Sequence, residues 1–321
     1  MADYKNIKGF NIQYLDSDPP NPIEGQVWFN STTQTLKGVQ AGSGTWASAA
    51  NMPTGRMGTR SGGTLTAALL WGGDDTFTPV PSTFEYNGTA WTTGGTTTSS
   101  AVGYGMGAGS YTSALSMGGY LSPGVQAGAE TYNGTSWSTI TSLPTGLYNA
   151  GAAVVGTSTD GNVFGGRPDT AKNQNWNGSA WSELGDLTAV SYAGNSCGTP
   201  SAAIYFGGTG NLSNIWNGTS WTTSPTSLNV NRQDGAMSGS STSALIFGGE
   251  PTGLLTELWD GTSWTEVNNL GVARNGKNGR GSQLTSSDTA ITMGGYGPPT
   301  GQVATEEWTT TLTDIKTFTT S

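Results

Sequence analysis

Residues 132–137 read YNGTSW, and the phrase returns as YNGTAW at 86–91, WNGSAW at 176–181, WNGTSW at 216–221 and WDGTSW at 259–264. Four of the five contain Asn-Gly-Ser/Thr, the acceptor pattern for an N-linked glycan. The fifth carries Asp260, to which no glycan attaches. What the five share is a backbone role. Asn-Gly and Asp-Gly both tolerate φ > 0, as a type I′ turn requires at its two central positions. An aromatic before the turn and Trp after it suit paired strands of a half-buried sheet. We therefore expect five tight hairpins of type I′, serving architecture rather than glycosylation.

A second mark runs out of phase with the first. A short apolar run ends in Gly-Gly at 69–73 (LLWGG), 115–119 (LSMGG), 162–166 (NVFGG), 204–208 (IYFGG), 245–249 (LIFGG) and 291–295 (ITMGG). The second glycines, at 73, 119, 166, 208, 249 and 295, lie 41–47 residues apart. Trp91, Trp137, Trp181, Trp221 and Trp264 follow the turns, and Trp46 precedes them at a matching interval. A period of this length with four short strands per unit is the mark of propeller blades. One unit reads MGTRSGG (57–63) as strand one, LTAALLWGG (65–73) as strand two, TFEYNG (83–88) as strand three and TAWTT (89–93) as strand four. Strand one is poor in bulk in every unit, as innermost strands crowding an axis must be.

Composition agrees. The 321 residues include 51 Gly and only 10% charged side chains, and no stretch carries a 3.6-residue apolar period, so long helices are excluded. Twelve Trp, eleven Tyr and eight Phe supply the apolar surface that a disordered chain lacks. The net charge of −9 and the absence of a Lys/Arg cluster argue against nucleic acid as a partner. No apolar run approaches the roughly 18 residues of a membrane-spanning helix, and the first ten residues hold no signal-like apolar core. We expect no membrane insertion and synthesis in a bacterial cytoplasm.

The order Arg in a turn, apolar run, Gly-Gly, Tyr/Trp, Trp resembles the kelch repeat over residues 50–308. MPTGR (52–56) with LLWGG, YNG and W is the fullest copy; those near 147 and 190 lack the Arg. The resemblance implies a β-propeller of four-stranded antiparallel blades. The opening segment NIKGFNIQYLDSDPPNPIEGQVWFNSTTQTLKG (6–38) resembles the start of structural proteins of marine tailed bacteriophages, and GQVWFN…TLKG resembles segments of phage tail and fibre proteins. That resemblance implies a virion location, with other virion proteins as partners.

We expect one propeller over residues 1–321. Seven blades is the favoured count. GFNIQYL, QVWFN, TLKGVQ and GTWAS would form the first, and TEEW with IKTFTTS would complete the last. The alternative is six blades, with residues 1–45 as an N-terminal hairpin segment or virion anchor and Trp46 closing the ring.

Catalytic chemistry finds little purchase. The chain has no His, the commonest general base and metal ligand. Copper sites of kelch-type oxidases need imidazole, so the resemblance does not extend to activity. Cys197 is the single cysteine and reads as a buried small residue. The adjacent acids Asp74-Asp75 and Glu306-Glu307 read as solvated faces. No cofactor, metal or catalytic residue is expected, and the protein reads as a non-enzyme.

Binding is the better-supported class. The loop between strands two and three differs in every unit, and a repeated scaffold with one varied loop set points to a recognition face. On it Phe77, Tyr120 and Tyr296 offer aromatic surface, and Arg167, Asp169 and Glu250 offer polar groups. We expect a virion structural protein (tail, fibre or capsid-attached accessory) whose loop face meets a host-surface glycan or protein; an oligomer is compatible with this. The alternative is a host-encoded propeller serving as a protein-interaction or glycan-binding module. A lectin repeating one site per blade would repeat one aromatic-plus-polar set, and these loops do not.

Overall fold

The computed structural model describes residues 12–20, 26–40, 44–75, 78–98, 103–153, 157–274, 287–297, 300–310 and 314–318. These residues are all-β, with no helix among them. The chain divides into two compact units: Trp46–Thr309, and a smaller one made of Met1–Thr45 with Thr310–Ser321.

Among the described residues the larger unit contains six sheets of three or four strands, here I to VI, and two two-stranded ribbons, Asp74–Asp75 with Thr78–Pro79 and Tyr296–Gly297 with Thr300–Gly301. Sheet I runs Arg60–Thr64, Ala67–Trp71, Thr83–Tyr86, Trp91–Thr93; sheet II runs Met106–Ser110, Ser113–Leu121, Gly124–Tyr132, Trp137–Ile140. Sheet III runs Gly151–Ala153, Gly161–Phe164, Asn173–Trp176, Trp181–Leu184; sheet IV runs Asn195–Thr199, Ala202–Gly207, Leu212–Trp216, Trp221–Thr223. Sheet V runs Ala236–Gly239, Ala244–Phe247, Thr256–Trp259, Trp264–Val267. Each of these five is an antiparallel meander. In sheet VI, Thr289–Met293 pairs with Thr305–Thr309, which pairs in turn with Thr45–Ala49, a strand from the other end of the sequence.

Trp46 explains that last pairing. In sheets I to V the aromatic before the turn stacks on the Trp after it, with centroids 4.9–5.4 Å apart. Trp308 has no such successor in its own hairpin, and Trp46 takes the place at 5.5 Å. The post-turn Trp also packs on the end of strand two in the preceding sheet, as Trp137 does on Trp71, Trp221 on Phe164 and Trp264 on Phe206. Trp46 does the same to Phe247 of sheet V, at 4.8 Å. Its indole donates to Thr256 Oγ1 (3.1 Å) as that of Trp137 donates to Thr83 Oγ1 (2.9 Å).

Every consecutive pair of sheets shares a buried apolar cluster, from Trp71 with Tyr132 between I and II to Phe247 with Trp308 between V and VI. A sixth cluster joins VI back to I, through Met52, Leu70, Tyr86, Ile291 and Met293. Each fully buried aromatic contributes roughly 2–3 kcal/mol of burial. Strand one is thin because neighbours touch: a Cβ on Gly62 of sheet I would lie 2.5 Å from the Gly109 carbonyl oxygen of sheet II.

A polar row runs through the same interfaces, and it corrects the expectation that Glu306 lies on a solvated face. The residue two before the pre-turn aromatic is Glu130, Gln174, Asn214, Glu257 or Glu306, and all five are buried. Each accepts a backbone N–H from the link entering its sheet: Thr98 (2.8 Å), Thr145 (2.9 Å), Thr188 (3.0 Å), Asn229 (2.9 Å) and Gly271 (2.7 Å). Where that link carries Arg, the pair is ionic, Arg232 with Glu257 and Arg274 with Glu306. In sheet I the position is Phe84, and Arg56 lies over its ring at 5.0 Å. Asp74 is likewise buried rather than solvated.

The hairpins form where expected but not as type I′ turns. Tyr132 pairs with Trp137, so four residues make the loop. Only Gly134 has positive φ (92°); Asn133 instead uses its side chain, accepting the N–H groups of Thr135 (3.0 Å) and Ser136 (2.9 Å). Asp260 repeats this with Thr262 and Ser263, both at 2.8 Å. Those bonds, led by one from the Thr262 hydroxyl, hold its carboxyl well below the usual range. Asn133→Asp should therefore shift stability by less than about 0.5 kcal/mol at pH 7. A depressed carboxyl gives stability that is present above its unfolded value and lost as pH falls, so below about pH 4 this variant should weaken more than the wild type, which loses only the share of its own lowered carboxyls such as Asp260 and Asp18. Gly134→Val should lose about 1–3 kcal/mol through strained φ, since a Cβ there meets nothing closer than 3.5 Å. Chemical unfolding at pH 7 and pH 3 reads both, and equal tolerance at both pH values would contradict the side-chain role.

The smaller unit holds one sheet, ordered Gln13–Leu15, Val27–Asn30, Thr35–Gln40, Asp314–Phe318, whose first pair is parallel. Asp18 accepts from Trp28, Asn30 and Lys37 at 2.7–3.0 Å. Those bonds, Lys37 first, bring its carboxyl down to about 2. Two expectations for a seventh unit differ from this pairing. GTWAS joins sheet VI rather than TLKGVQ, and IKTF joins TLKGVQ rather than the last unit. The reason lies in Trp46, whose stacking partners belong to sheets V and VI.

Candidate recognition surface

Each Gly-Gly has both residues at positive φ; it closes strand two in five sheets, and in sheet II it breaks the register of a strand that runs on to Leu121. The residue after Gly-Gly then sits at one repeated position: Asp74, Tyr120, Arg167, Thr209, Glu250 and Tyr296 in sheets I to VI. In four sheets it bridges to the residue that opens the link's last turn: Met57 with Asp74, Gly103 with Tyr120, Tyr148 with Arg167, Gln233 with Glu250. Thr209 reaches Tyr192 by a single bond, N–H to carbonyl, at 3.0 Å. In sheets I to V these two positions thus lie together at one rim of the larger unit, with Met57 and Asp74 of sheet I buried there.

Inside that rim a second repeated position runs Gly58, Tyr104, Asn149, Ala193, Asp234, all at φ between 50° and 62°. Each N–H donates to the carbonyl of its counterpart in the preceding sheet: Tyr104 to Gly58 (2.9 Å), Asn149 to Tyr104 (2.9 Å), Ala193 to Asn149 (2.8 Å), Asp234 to Ala193 (2.7 Å). The left-handed backbone, unusual for Tyr or Ala, aims successive N–H and C=O groups along this chain of bonds. Tyr104 is partly buried and hydrogen-bonded to Asp74, and burial first, then that carboxylate, pushes its hydroxyl above the ordinary phenol range.

Of the residues expected on the loop face, Tyr120, Arg167, Glu250 and Tyr296 occupy the same repeated position, on sheets II, III, V and VI. Phe77 lies outside the described residues. Tyr120 and Arg167 are brought together through a residue the sequence reading passed over, Tyr148. Its ring lies 5.1 Å from that of Tyr120, and its backbone exchanges two hydrogen bonds with Arg167, at 2.8 and 3.0 Å. The Arg167 guanidinium rests over Tyr192 of the next sheet at 4.2 Å. Asp169 meets Arg167 Nε at 3.4 Å, with both side chains open to solvent at 41% and 61%. So exposed a pair contributes little. Glu250 and Tyr296 stand apart from this cluster, on their own sheets.

No family model matches the chain, and no curated protein is significantly similar to it. The surface is therefore read from its own chemistry. Among the described residues no three His, Cys, Asp or Glu side chains are grouped to hold a metal. Cys197 is fully buried, and burial pushes its thiol far up, so it is no thiolate nucleophile. At the opposite end of the strands a shallow groove between sheets III and IV is lined by Asp160, Asn175, Asn177, Leu184 and Ser201. There the Asn175 amide is already spent on Asp160 (3.2 Å), Gly161 (3.4 Å) and Asn162 (2.7 Å).

Tyr148 and Tyr192 did leave a signal. Both follow the position where the copies of sheets I, V and VI carry Arg56, Arg232 and Arg274; Leu147 and Ser191 replace it there, as Val102 does in the copy of sheet II.

Proposed function

We propose that the larger unit is a kelch-like propeller of six blades, closed by Thr45–Ala49, in a non-enzymatic structural protein of a tailed-bacteriophage virion. The six-blade count is supported by six sheets, six inter-sheet clusters and Trp46 in the sixth post-turn position. Gln13–Leu15, Val27–Asn30 and Thr35–Gln40 form a sheet of their own with Asp314–Phe318, and the N-terminal segment that carries them fits an anchor to other virion proteins better than a seventh blade. The virion assignment draws on the resemblance of residues 6–38 to phage structural proteins.

The observation that carries a recognition role is the rim. The scaffold repeats to the hydrogen bond, yet the residue after Gly-Gly changes from Asp to Tyr, Arg, Thr, Glu and Tyr. Variation at a position that reaches solvent in sheets II to VI, on a fixed frame, is what recognition needs. In this reading the protein belongs to the virion and its rim faces a host-surface glycan or protein. The test is adsorption. Phage carrying Tyr120→Ser with Tyr296→Ser should assemble in normal number, because both side chains lie at the surface, and should adsorb to host cells several-fold more slowly. Unchanged adsorption would remove the recognition role, and purified particles lacking the chain would remove the virion assignment.

A further inference from the structure

We infer that Tyr120, Tyr148, Arg167 and Tyr192 form a single binding site for a saccharide bearing one carboxylate per ring, such as a uronic or sialic acid. The inference rests on the recognition role proposed above and names its ligand. The four residues form a two-by-two array: Tyr120 and Arg167 hold the post-Gly-Gly position of sheets II and III, and Tyr148 and Tyr192 hold the pre-strand position of sheets III and IV. All four are partly exposed. Tyr120 and Tyr148 lie 5.1 Å apart and tilted by 43°, offering two adjoining ring faces. Arg167 continues the row, stacked at 4.2 Å on Tyr192.

This arrangement selects a chemistry. Planar phenol faces present apolar area at small cost in side-chain freedom, with hydroxyls at the edge to bond sugar hydroxyls. A guanidinium held flat by an aromatic keeps its charge and offers its fork to a carboxylate. Among the described residues its hydrogen-bonding partners are the Tyr148 hydroxyl and Asp169, the latter at 3.4 Å in an exposed contact that an incoming carboxylate can displace. The rest of the rim argues against a polyanion. Glu250 holds the equivalent position on sheet V, Asp74 that on sheet I, and the chain carries −9 overall. Among the described residues at these positions Arg167 is the one cation, which matches one carboxylate rather than a phosphate chain. No other sheet combines these residues, so one site per chain is expected rather than one per repeat.

The test is calorimetric titration of the purified full-length protein with trigalacturonate, a glucuronate-containing tetrasaccharide and sialyllactose, with galactotriose as the neutral control and a tetraglutamate peptide as the non-sugar acid. At least one acidic saccharide should bind at one per chain and more tightly than the neutral control. Arg167→Gln should weaken it by about 10- to 100-fold, the share of a charge-assisted hydrogen bond. Tyr192→Ala should weaken it similarly, and Glu250→Gln, at the same position on sheet V, should not. The inference fails if none of the acidic saccharides binds, if neutral and acidic sugars bind alike, if Arg167→Gln binds as wild type, or if the peptide binds more tightly. Failure here with adsorption still dependent on Tyr120 and Tyr296 leaves the recognition role standing with another ligand. Saccharide binding in a phage whose adsorption ignores those tyrosines removes the recognition role instead.

Discussion

Glu257→Ala is expected to destabilise the larger unit by about 3–5 kcal/mol, the largest effect of any single substitution considered. Its carboxylate and the Arg232 guanidinium are buried together, at 1% and 0% side-chain exposure. Arg232 also donates to the Leu255 carbonyl (2.7 Å), which fixes the guanidinium but leaves its charge uncompensated without Glu257. The substitution further orphans the Asn229 N–H, which donates to the same carboxylate at 2.9 Å. Replacing both partners, Arg232→Met with Glu257→Leu, removes charge from both sides and should cost less than the single change. Urea unfolding of the two variants reads the difference. A single variant as stable as wild type would contradict the buried pairing.

Trp46→Ala should cost about 2–4 kcal/mol, somewhat under a full core Trp deletion because the ring is only half-buried. It removes the stacks on Phe247 and Trp308 and the bond to Thr256. It also frees the strand that covers the outer edge of Thr305–Thr309. An uncovered edge exposes a row of unpaired N–H and C=O groups, so faster amide exchange is expected along that strand, and a greater tendency to associate. Exchange confined to residues near position 46, with Thr305–Thr309 unchanged, would show that the strand is not the cover.

The two effects mark where the sequence was legible. Apolar and aromatic positions could be read because their spacing is the fold: Trp71, Phe164, Phe206 and Phe247 end strand two as the Gly-Gly pattern predicts. Trp46 could be aligned with the other tryptophans, but not its partner, because its strand bonds to one more than 250 residues away and spacing carries no information on closure. IKTF misled for the same reason. The polar row was missed although regular. Glu130, Gln174, Asn214, Glu257 and Glu306 each sit two residues before an aromatic, yet hydrophobic periodicity registers them only as polar. The burial of Glu306 follows from a link in another part of the chain, not from its neighbours. The loop residues were legible as a set by their variation; that Tyr120 and Arg167 both adjoin Tyr148, and Arg167 also Tyr192, was not, because a reading of strand one as small residues had set those side chains aside. At the turns, Asn-Gly correctly marked hairpins, while the choice between a left-handed Asn and an Asn that caps N–H groups depends on loop length, which only the pairing of Tyr132 with Trp137 decides.

The central claim is a ring of six blades closed by an N-terminal strand. A diffraction structure of the purified full-length protein tests it most directly, by counting sheets about the axis and tracing residues 45–49. The account predicts six, with Thr45–Ala49 as the outermost strand of the sixth and Trp46 stacked between Phe247 and Trp308. Seven sheets about one axis, or residues 45–49 paired with Thr35–Gln40, would contradict it.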